Sequence, residues 1–460
     1  MKIYNTLTRK KEKLTGKTIG IYVCGPTVYD ESHIGHARSA YIFDFMVRYL
    51  KFKGFKVKFV RNVTDVDDKI IERAKNEPGP EALADKVKKI ADRYLKRYHE
   101  DMELLGILMP DKEPRATETI PDMVKFIKVL IKKGFAYESS GSVYFDVRKY
   151  KDYGRLSGQA IDEMEEGIRT SLDKNKKDPL DFALWKGAKE GEPSWESPWG
   201  RGRPGWHIEC SVMSTKFLGK NFTIHGGGID LVFPHHENEI AQTVCAGKKS
   251  AKYWIHNGLL AINGRKMSKS LGNFISIKEF PGNPDLLKLF FLSSHYRHPV
   301  DYTEAKIGEM EAKRDRLLAF LQKADAVGKK DRKTSVRKNK YGNIFTVCMN
   351  DDFNTPLALG AIFQCVSDGN KLLEKNVLSG KEKKALGVLS DFVRRVSKDI
   401  FGLALEYKEK NACIDTLVLE REKARKNKNF EKADSLRNEL EKQGIIVEDT
   451  KEGPVWRKKA

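Results

Sequence analysis

Two short strings far apart in the chain carry the side chains best suited to phosphate chemistry: His33-Ile34-Gly35-His36 and Lys266-Met267-Ser268-Lys269-Ser270. Each supplies ring N–H, hydroxyl or ammonium donors for phosphate oxygens, and the glycine between the histidines lets a ligand approach the backbone. In the second string, lysines three residues apart flank small hydroxyl residues and precede Gly272. Such a loop can close over a diphosphate and neutralise charge as it builds on a leaving group. Brought together, the strings would grip one triphosphate from opposite ends. That suits adenylate formation, in which a carboxylate attacks the α-phosphate of ATP and pyrophosphate departs. Alone, each is weak: histidines often satisfy only local hydrogen bonds, and paired lysines are usually a solvated loop.

A second constellation invites a metal. Cys24, Cys210, His235 and Glu239 offer two thiols, an imidazole and a carboxylate, a donor set that suits zinc. His235 and Glu239 are i and i+4, so on a helix they face the same way. His236 is the rival for the imidazole position. Spacing alone favours plain core thiols, because the cysteines are distant from one another. Cys245, Cys348, Cys365 and Cys413 are expected to be buried and inert.

The elements that must position these groups are partly readable. Gly20–Cys24 reads as a short buried strand ended by Gly25-Pro26. A helix is predicted from about Gly35 to Lys53, with Ile42, Phe45, Met46 and Tyr49 on one face. Val57–Val60 reads as the next strand. This βαβ unit implies a parallel sheet, with His33–His36 at the strand-to-helix turn where anions are favoured. No G-x-G-x-x-G follows the strand, which argues against a dehydrogenase-type dinucleotide fold. Further on, the pattern predicts a helix at Met123–Lys133, a strand at Ser142–Val147 and an exposed charged loop over Asp162–Asp178. It then predicts strands at Asn221–His225 and Tyr253–Ile262, and long helices of mixed charge such as Glu304–Ala326. The tail reads as helices Ile414–Lys426 and Phe430–Gln443, then a hairpin over Ile445–Trp456.

Composition bounds the partners. The 460 residues, 40% hydrophobic and 32% charged, make a folded chain of roughly two to four domains. A formal charge of +21 points to a polyanion such as nucleic acid. No apolar run spans a membrane, the start lacks a signal-peptide pattern, and six scattered cysteines suit a reducing cytoplasm.

Several longer strings carry a family resemblance. They are Cys24-Gly25-Pro26-Thr27-Val28-Tyr29-Asp30, Arg61–Ile70, Gly205-Trp206-His207-Ile208-Glu209-Cys210-Ser211, His225-Gly226-Gly227-Gly228-Ile229-Asp230 and Phe233–Glu239. With the two phosphate strings, which match the HIGH and KMSKS signatures, the chain resembles class I aminoacyl-tRNA synthetases. Over nearly its whole length it is most similar to the cysteinyl-tRNA synthetases. Ser32 stands where many relatives carry cysteine, at a position that is not a ligand.

The resemblance implies an α/β fold: a Rossmann-like catalytic domain (1–110 and 200–280) with a connective insertion (111–199). A stem-contact region (281–340), a helical tRNA-binding bundle (341–410) and a C-terminal α+β anticodon-binding piece (411–460) would follow. It implies one zinc on Cys24, Cys210, His235 and Glu239. It places ATP against His33, His36, Gly226, Gly227, Gly228, Lys266, Ser268 and Lys269, with magnesium on the phosphates. Tyr22, Thr64, Trp206, His225 and Asp230 would surround the amino acid. Catalysis would fall to His33, His36, Lys266 and Lys269, making cysteinyl adenylate and transferring it to tRNA(Cys) in a cytoplasmic monomer. Soft thiolate–zinc bonding would reject serine without an editing site. Asp351–Pro356 resembles the start of the family's anticodon-side bundle, and Lys423, Arg425, Lys426, Lys428 and Trp456–Lys459 suit RNA contact. The rivals are the cysteine ligase of mycothiol synthesis, which would not need the basic tail, and a catalytically silent RNA-binding paralogue.

Overall fold

The computed structural model describes residues 1–160, 174–219, 222–267, 272–328, 339–405, 412–450 and 453–458. The chain forms two compact units. One comprises Met1–Ala261, Arg265–Phe280 and Arg297–Val300; the other comprises Ile262–Gly264, Pro281–Tyr296 and Asp301–Ala460.

In the first unit a hairpin of β1 (Lys2–Asn5) and β2 (Lys10–Lys13) precedes β3 (Thr18–Val23), α1 (Ile34–Phe52) and β4 (Lys56–Arg61). The predicted βαβ unit is therefore present, and Ile42, Phe45, Met46 and Tyr49 are all buried on α1. Helices α2 (Asp68–Lys75), α3 (Leu83–Leu104) and α4 (Ile120–Lys132) follow. After them come strands β5 (Ala136–Ser139), β6 (Ser142–Phe145), β7 (Phe182–Gly187) and β8 (Gly202–Pro204), paired in that order as an antiparallel sheet. The unit continues through α5 (Trp206–Leu218), β9 (Ile224–Gly228), α6 (Glu237–Cys245) and β10 (Tyr253–Asn257). Most of Asp162–Asp178, expected as an exposed loop, lies outside the described residues.

The main sheet is parallel, in the order β10-β9-β3-β4. Tyr22 sits opposite Val60 on one side and His225 on the other. Strand order reverses between β3 and β9, so their carboxyl ends open the crevice that ligands of open α/β sheets occupy. Beneath it the core packs Tyr22, Val60, Ile208, Met213, Phe222 and Trp254. Each such buried side chain stabilises the fold by about 1.5–3 kcal/mol before entropy is counted. Cys210 lies near the start of α5, whose N-cap is Gly205.

The second unit is mainly helical: Pro284–Leu292, Glu304–Val327, Lys340–Asn350, Thr355–Leu373 and Gly380–Arg395, then Ala412–Lys426 and Phe430–Lys442. Asp351–Pro356 is the turn between two of these helices, where the Asn354 side chain accepts from Leu357 N–H as an N-cap. The buried Asp285 carboxylate accepts from the backbone N–H groups of Ala404 (2.9 Å) and Leu405 (3.2 Å). Lys288 Nζ, 3.0 Å from Asp285 Oδ1, also donates to the Gly402 carbonyl at 2.7 Å. The tail has its own small core of Ile414, Val418, Leu440 and Ile445, with Trp456 packed on it. The expected hairpin pairs Ile445–Thr450 with Gly453–Lys458, Val447 opposite Trp456. Cys245 and Cys365 are buried as expected, Cys348 is half-buried, and the Cys413 side chain lies outside the described residues. Among the described residues no helix is long and apolar enough to cross a membrane.

Candidate functional site

Both chemical groupings fall in the first unit. His33 is the N-cap of α1, in extended backbone at φ −117° and ψ 169°. Its Nδ1 accepts from the Gly35 N–H (3.1 Å) and the His36 N–H (3.3 Å), while His36 Nδ1 accepts from the His33 N–H at 3.3 Å. This reciprocal cap satisfies orphan donors of the first helical turn. The two rings stack with centroids 3.7 Å apart and planes 18° from parallel. A Cβ at position 35 would lie 2.9 Å from the His33 ring, so the glycine makes room for the capping imidazole. Because each Nδ1 is an acceptor, each neutral ring carries its proton on Nε2, ready to donate to an anion.

The lysine string comes to the same place. The Gly35 Cβ position is 3.3 Å from Met267 Cε. Beyond the string, Ile34 N–H donates to the Ile275 carbonyl (3.1 Å) and Ile277 N–H to the Ser32 carbonyl (3.0 Å). His33 and Ser276 thereby form a short antiparallel bridge. Lys266 ends the short strand Arg265–Lys266, and its carbonyl accepts from Asn273 Nδ2 at 3.2 Å. Ser268, Lys269 and Ser270 lie outside the described residues.

The metal constellation is also assembled. Cys24 follows β3, Cys210 is on α5, His235 lies in the wide turn Val232–His236, and Glu239 is in the first turn of α6. Their donor atoms, one per residue, lie within 4.8 Å of one another. Cys24 Sγ is 3.6 Å from Cys210 Sγ and 3.5 Å from Glu239 Oε1, and His235 Nε2 is 3.1 Å from Glu239 Oε1. The edges of a tetrahedron around zinc are about 3.3–3.8 Å, given Zn–S and Zn–N bonds of about 2.3 and 2.0 Å. A second set, Cys24, His225, His236 and Glu239, satisfies the same proximity.

Each imidazole is fixed from outside through Nδ1 and turns Nε2 into the cluster. His235 Nδ1 is 2.9 Å from His207 Nδ1, and its buried Nε2, 3.1 Å from Glu239 Oε1, makes no aligned hydrogen bond. His236 Nδ1 is 2.8 Å from His256 Nε2, whose ring Nδ1 meets Thr6 Oγ1 at 2.8 Å, and its Nε2 lies 3.3 Å from Cys24 Sγ. A buried nitrogen facing a carboxylate without an aligned hydrogen bond, beside two thiols, fits a cation. Burial, reinforced by Cys210, pushes the Cys24 thiol and the Glu239 carboxyl well above their usual ranges. It holds His235 and His236 well below the imidazole range. A divalent ion would reverse the cost of ionising the thiols and carboxyl.

Of the expected amino-acid contacts, Tyr22 is fully buried with an unpartnered hydroxyl. Trp206, 37% exposed, lies over His235 with centroids 4.0 Å apart. His225 stacks on Trp254 at 4.3 Å and places Nε2 3.5 Å from Cys24 Sγ. Asp230 stands exposed in the turn after β9. The Thr64 hydroxyl is buried and donates to Glu209 Oε2 at 2.6 Å, so it braces the pocket from below. The three glycines have packing reasons. A Cβ at Gly226 would sit 2.2 Å from the Phe43 ring, one at Gly227 2.9 Å from the His236 ring, and one at Gly228 against Asp230.

Residue spacing did not single out the supports. Asn62 Oδ1 accepts from the Gly25 N–H at 2.9 Å and lies 3.6 Å from Cys210 Sγ. His207 and His256 fix the two central imidazoles from outside. Asn62 and His207 fall inside strings that carry the family resemblance, which was their one available signal.

Comparison with known proteins places this site in a class. Residues 10–312 match the model of the tRNA synthetases class I (C) catalytic domain, so the first unit carries a class I aminoacyl-tRNA synthetase site. Residues 344–406 match the DALR domain and 411–457 the cysteinyl-tRNA ligase anticodon binding domain. The cysteine--tRNA ligase of Persephonella marina is 47% identical, with all of both chains covered. That of Thermococcus onnurineus is 45% identical over all of this chain and 99% of its own. The Mycobacterium tuberculosis methionyl-tRNA synthetase structure shares the fold at a TM-score of 0.64 and 14% identity, covering 85% of this chain and 92% of its own. The chain belongs to the cysteine--tRNA ligase family.

Proposed function

We propose that this enzyme activates L-cysteine with ATP and transfers it to the 3′ end of tRNA(Cys), holding one zinc on Cys24, Cys210, His235 and Glu239. The observation that carries the reading is adjacency: the four-donor cluster and the His33–His36 cap flank the same turn after β3. Zinc there would supply a soft Lewis acid for the substrate thiol, which a serine hydroxyl would not match.

The chain's own groups do the rest. The Nε2–H groups of His33 and His36 donate to the α-phosphate as charge builds, and Lys266 and Lys269 neutralise the departing pyrophosphate, whose phosphates carry magnesium. No side chain need act as nucleophile, because the substrate carboxylate attacks; rate comes from positioning and preorganised donors. In this reading Trp206 walls the pocket, Tyr22 closes its floor, and Asp230 pairs with the substrate ammonium.

The deciding experiment is charging of tRNA(Cys) with cysteine and serine in competition, beside cysteine-dependent ATP–pyrophosphate exchange. Cysteine charging with serine excluded, and an exchange rate sharply reduced by Lys269→Ala, are expected. Unchanged exchange in that variant would remove the lysine from its role.

A further inference from the structure

Phe274, a residue outside both signature strings, stands against the His33 imidazole. Its ring meets that of His33 edge-on, with centroids 5.4 Å apart and planes at 85°. The segment that presents it is fixed independently of that contact. Ile275 and Ile277 hydrogen-bond across to Ile34 and Ser32. Ser276 Oγ donates to Glu279 Oε2 at 2.7 Å and accepts from the Glu279 N–H at 3.1 Å. The His33 imidazole is therefore held by amides at Nδ1, stacked by His36 on its face and met by a perpendicular ring. The amide bonds set the ring's rotation about Cβ–Cγ to within their own angular tolerance, and the perpendicular Phe274 edge narrows that range, to which the position of Nε2 is sensitive.

We propose that Phe274 is a positioning residue for His33: it fixes the tilt that aims Nε2–H at the triphosphate. It thereby makes the geometry of that donor depend on the segment following the lysine string. This rests on the adenylate-forming reading above. Edge-to-face ring pairs carry a preference that corresponds to about 2- to 10-fold in rate if all of it is expressed in the transition state.

The test is cysteine-dependent ATP–pyrophosphate exchange by the full-length enzyme carrying Phe274→Leu or Phe274→Tyr, each also combined with His33→Gln. Leucine, of similar bulk but without a ring edge, is expected to lower kcat about 2- to 10-fold with the KM for cysteine unchanged. Tyrosine is expected to restore most of that rate. In the His33→Gln background the leucine change is expected to add nothing, since its effect runs through the imidazole. NMR relaxation of the His33 ring should report a rigid orientation in the unaltered enzyme and added ring motion in Phe274→Leu, with the Nε2–H tautomer kept in both. Phe274→Met replaces leucine if that variant unfolds. Wild-type kcat in the leucine variant, or an additive loss in the double variant, would overturn the proposal. No exchange by the unaltered enzyme would instead bring down the adenylate reading, and the inference with it.

Discussion

The imidazoles of His33 and His36 stack face to face, each accepting a backbone N–H through Nδ1, so that helix capping uses one nitrogen of each ring and the proposed phosphate contact would use the other.

That division separates two substitutions at His33. Asparagine can replace Nδ1 as a cap acceptor but does not reach the position of Nε2. His33→Asn should keep the thermal midpoint near that of the parent while slowing ATP–pyrophosphate exchange by about 10²-fold, the cost of one preorganised donor. His33→Gln reaches further but caps poorly, and should lose about 1 kcal/mol of stability while retaining more activity. Calorimetry and exchange kinetics on the pair check this. Parallel losses in both variants would show that the two nitrogens do not divide the work.

The support around His236 gives a pH-dependent stability with a defined sign. Burial lowers His256 to about 3, below the 6.5 of an exposed imidazole. Between those values the unfolded chain holds a proton that the folded chain does not. The stability contributed by keeping this ring neutral is therefore fully present above pH 6.5 and is lost as pH falls toward 3. His256→Gln should reduce the protons taken up on unfolding at pH 5 by about one, measured as the slope of unfolding free energy against pH. An unchanged slope would mean the ring is protonated in the folded protein.

What residue patterns could and could not show follows from the physics of each feature. Helix α1 was legible because Ile42, Phe45, Met46 and Tyr49 recur at helical spacing and all are buried, although the burial of Tyr41 through Val47 shows that the helix is enclosed well beyond one face. The tail hairpin was legible from two apolar runs around a charged turn. The four candidate metal donors were legible as donor types and, for His235 and Glu239, as an i, i+4 pair, but only the family strings joined Cys24 to Cys210, since no local period links them. Asn62, His256 and Phe274 act across folded space on residues far along the chain. A sequence period reports which face is buried, not which partner it meets. The glycines at 226–228 illustrate the same gap. Their need for space was visible, but that Phe43 and His236 fill it was not.

The tail should be separable from adenylate chemistry. It has its own apolar core, and Gln322 Nε2 on the long helix Glu304–Val327 donates to the Trp456 carbonyl at 2.7 Å. A chain ending before Asn411 is expected to keep ATP–pyrophosphate exchange and to charge tRNA poorly. In the intact enzyme, tRNA affinity should fall steeply with salt, and the truncated chain should show a shallower slope. Filter binding across a salt series measures both. Full charging by the shortened chain would remove the tail from the RNA site.

The two imidazoles beside Glu239 make opposite predictions for metal content. His235 Nε2 faces Glu239 Oε1 at 3.1 Å with no aligned hydrogen bond, whereas His236 Nε2 meets Cys24 Sγ at 3.3 Å and its Nδ1 is tied through His256 to Thr6. If His235 is the ligand, His235→Gln should lower zinc from about one per chain to near zero, as Cys210→Ser should. His236→Gln should retain the metal with affinity reduced by about 10- to 100-fold, the usual cost of losing an outer support. Elemental analysis after dialysis against a graded chelator gives the order. Zinc held by His235→Gln but lost from His236→Gln would transfer the site to the second set, with His225 in place of Cys210. Competition between cysteine and serine should follow the metal: variants that lose zinc should lose the preference, and His236→Gln should keep it wherever zinc remains bound.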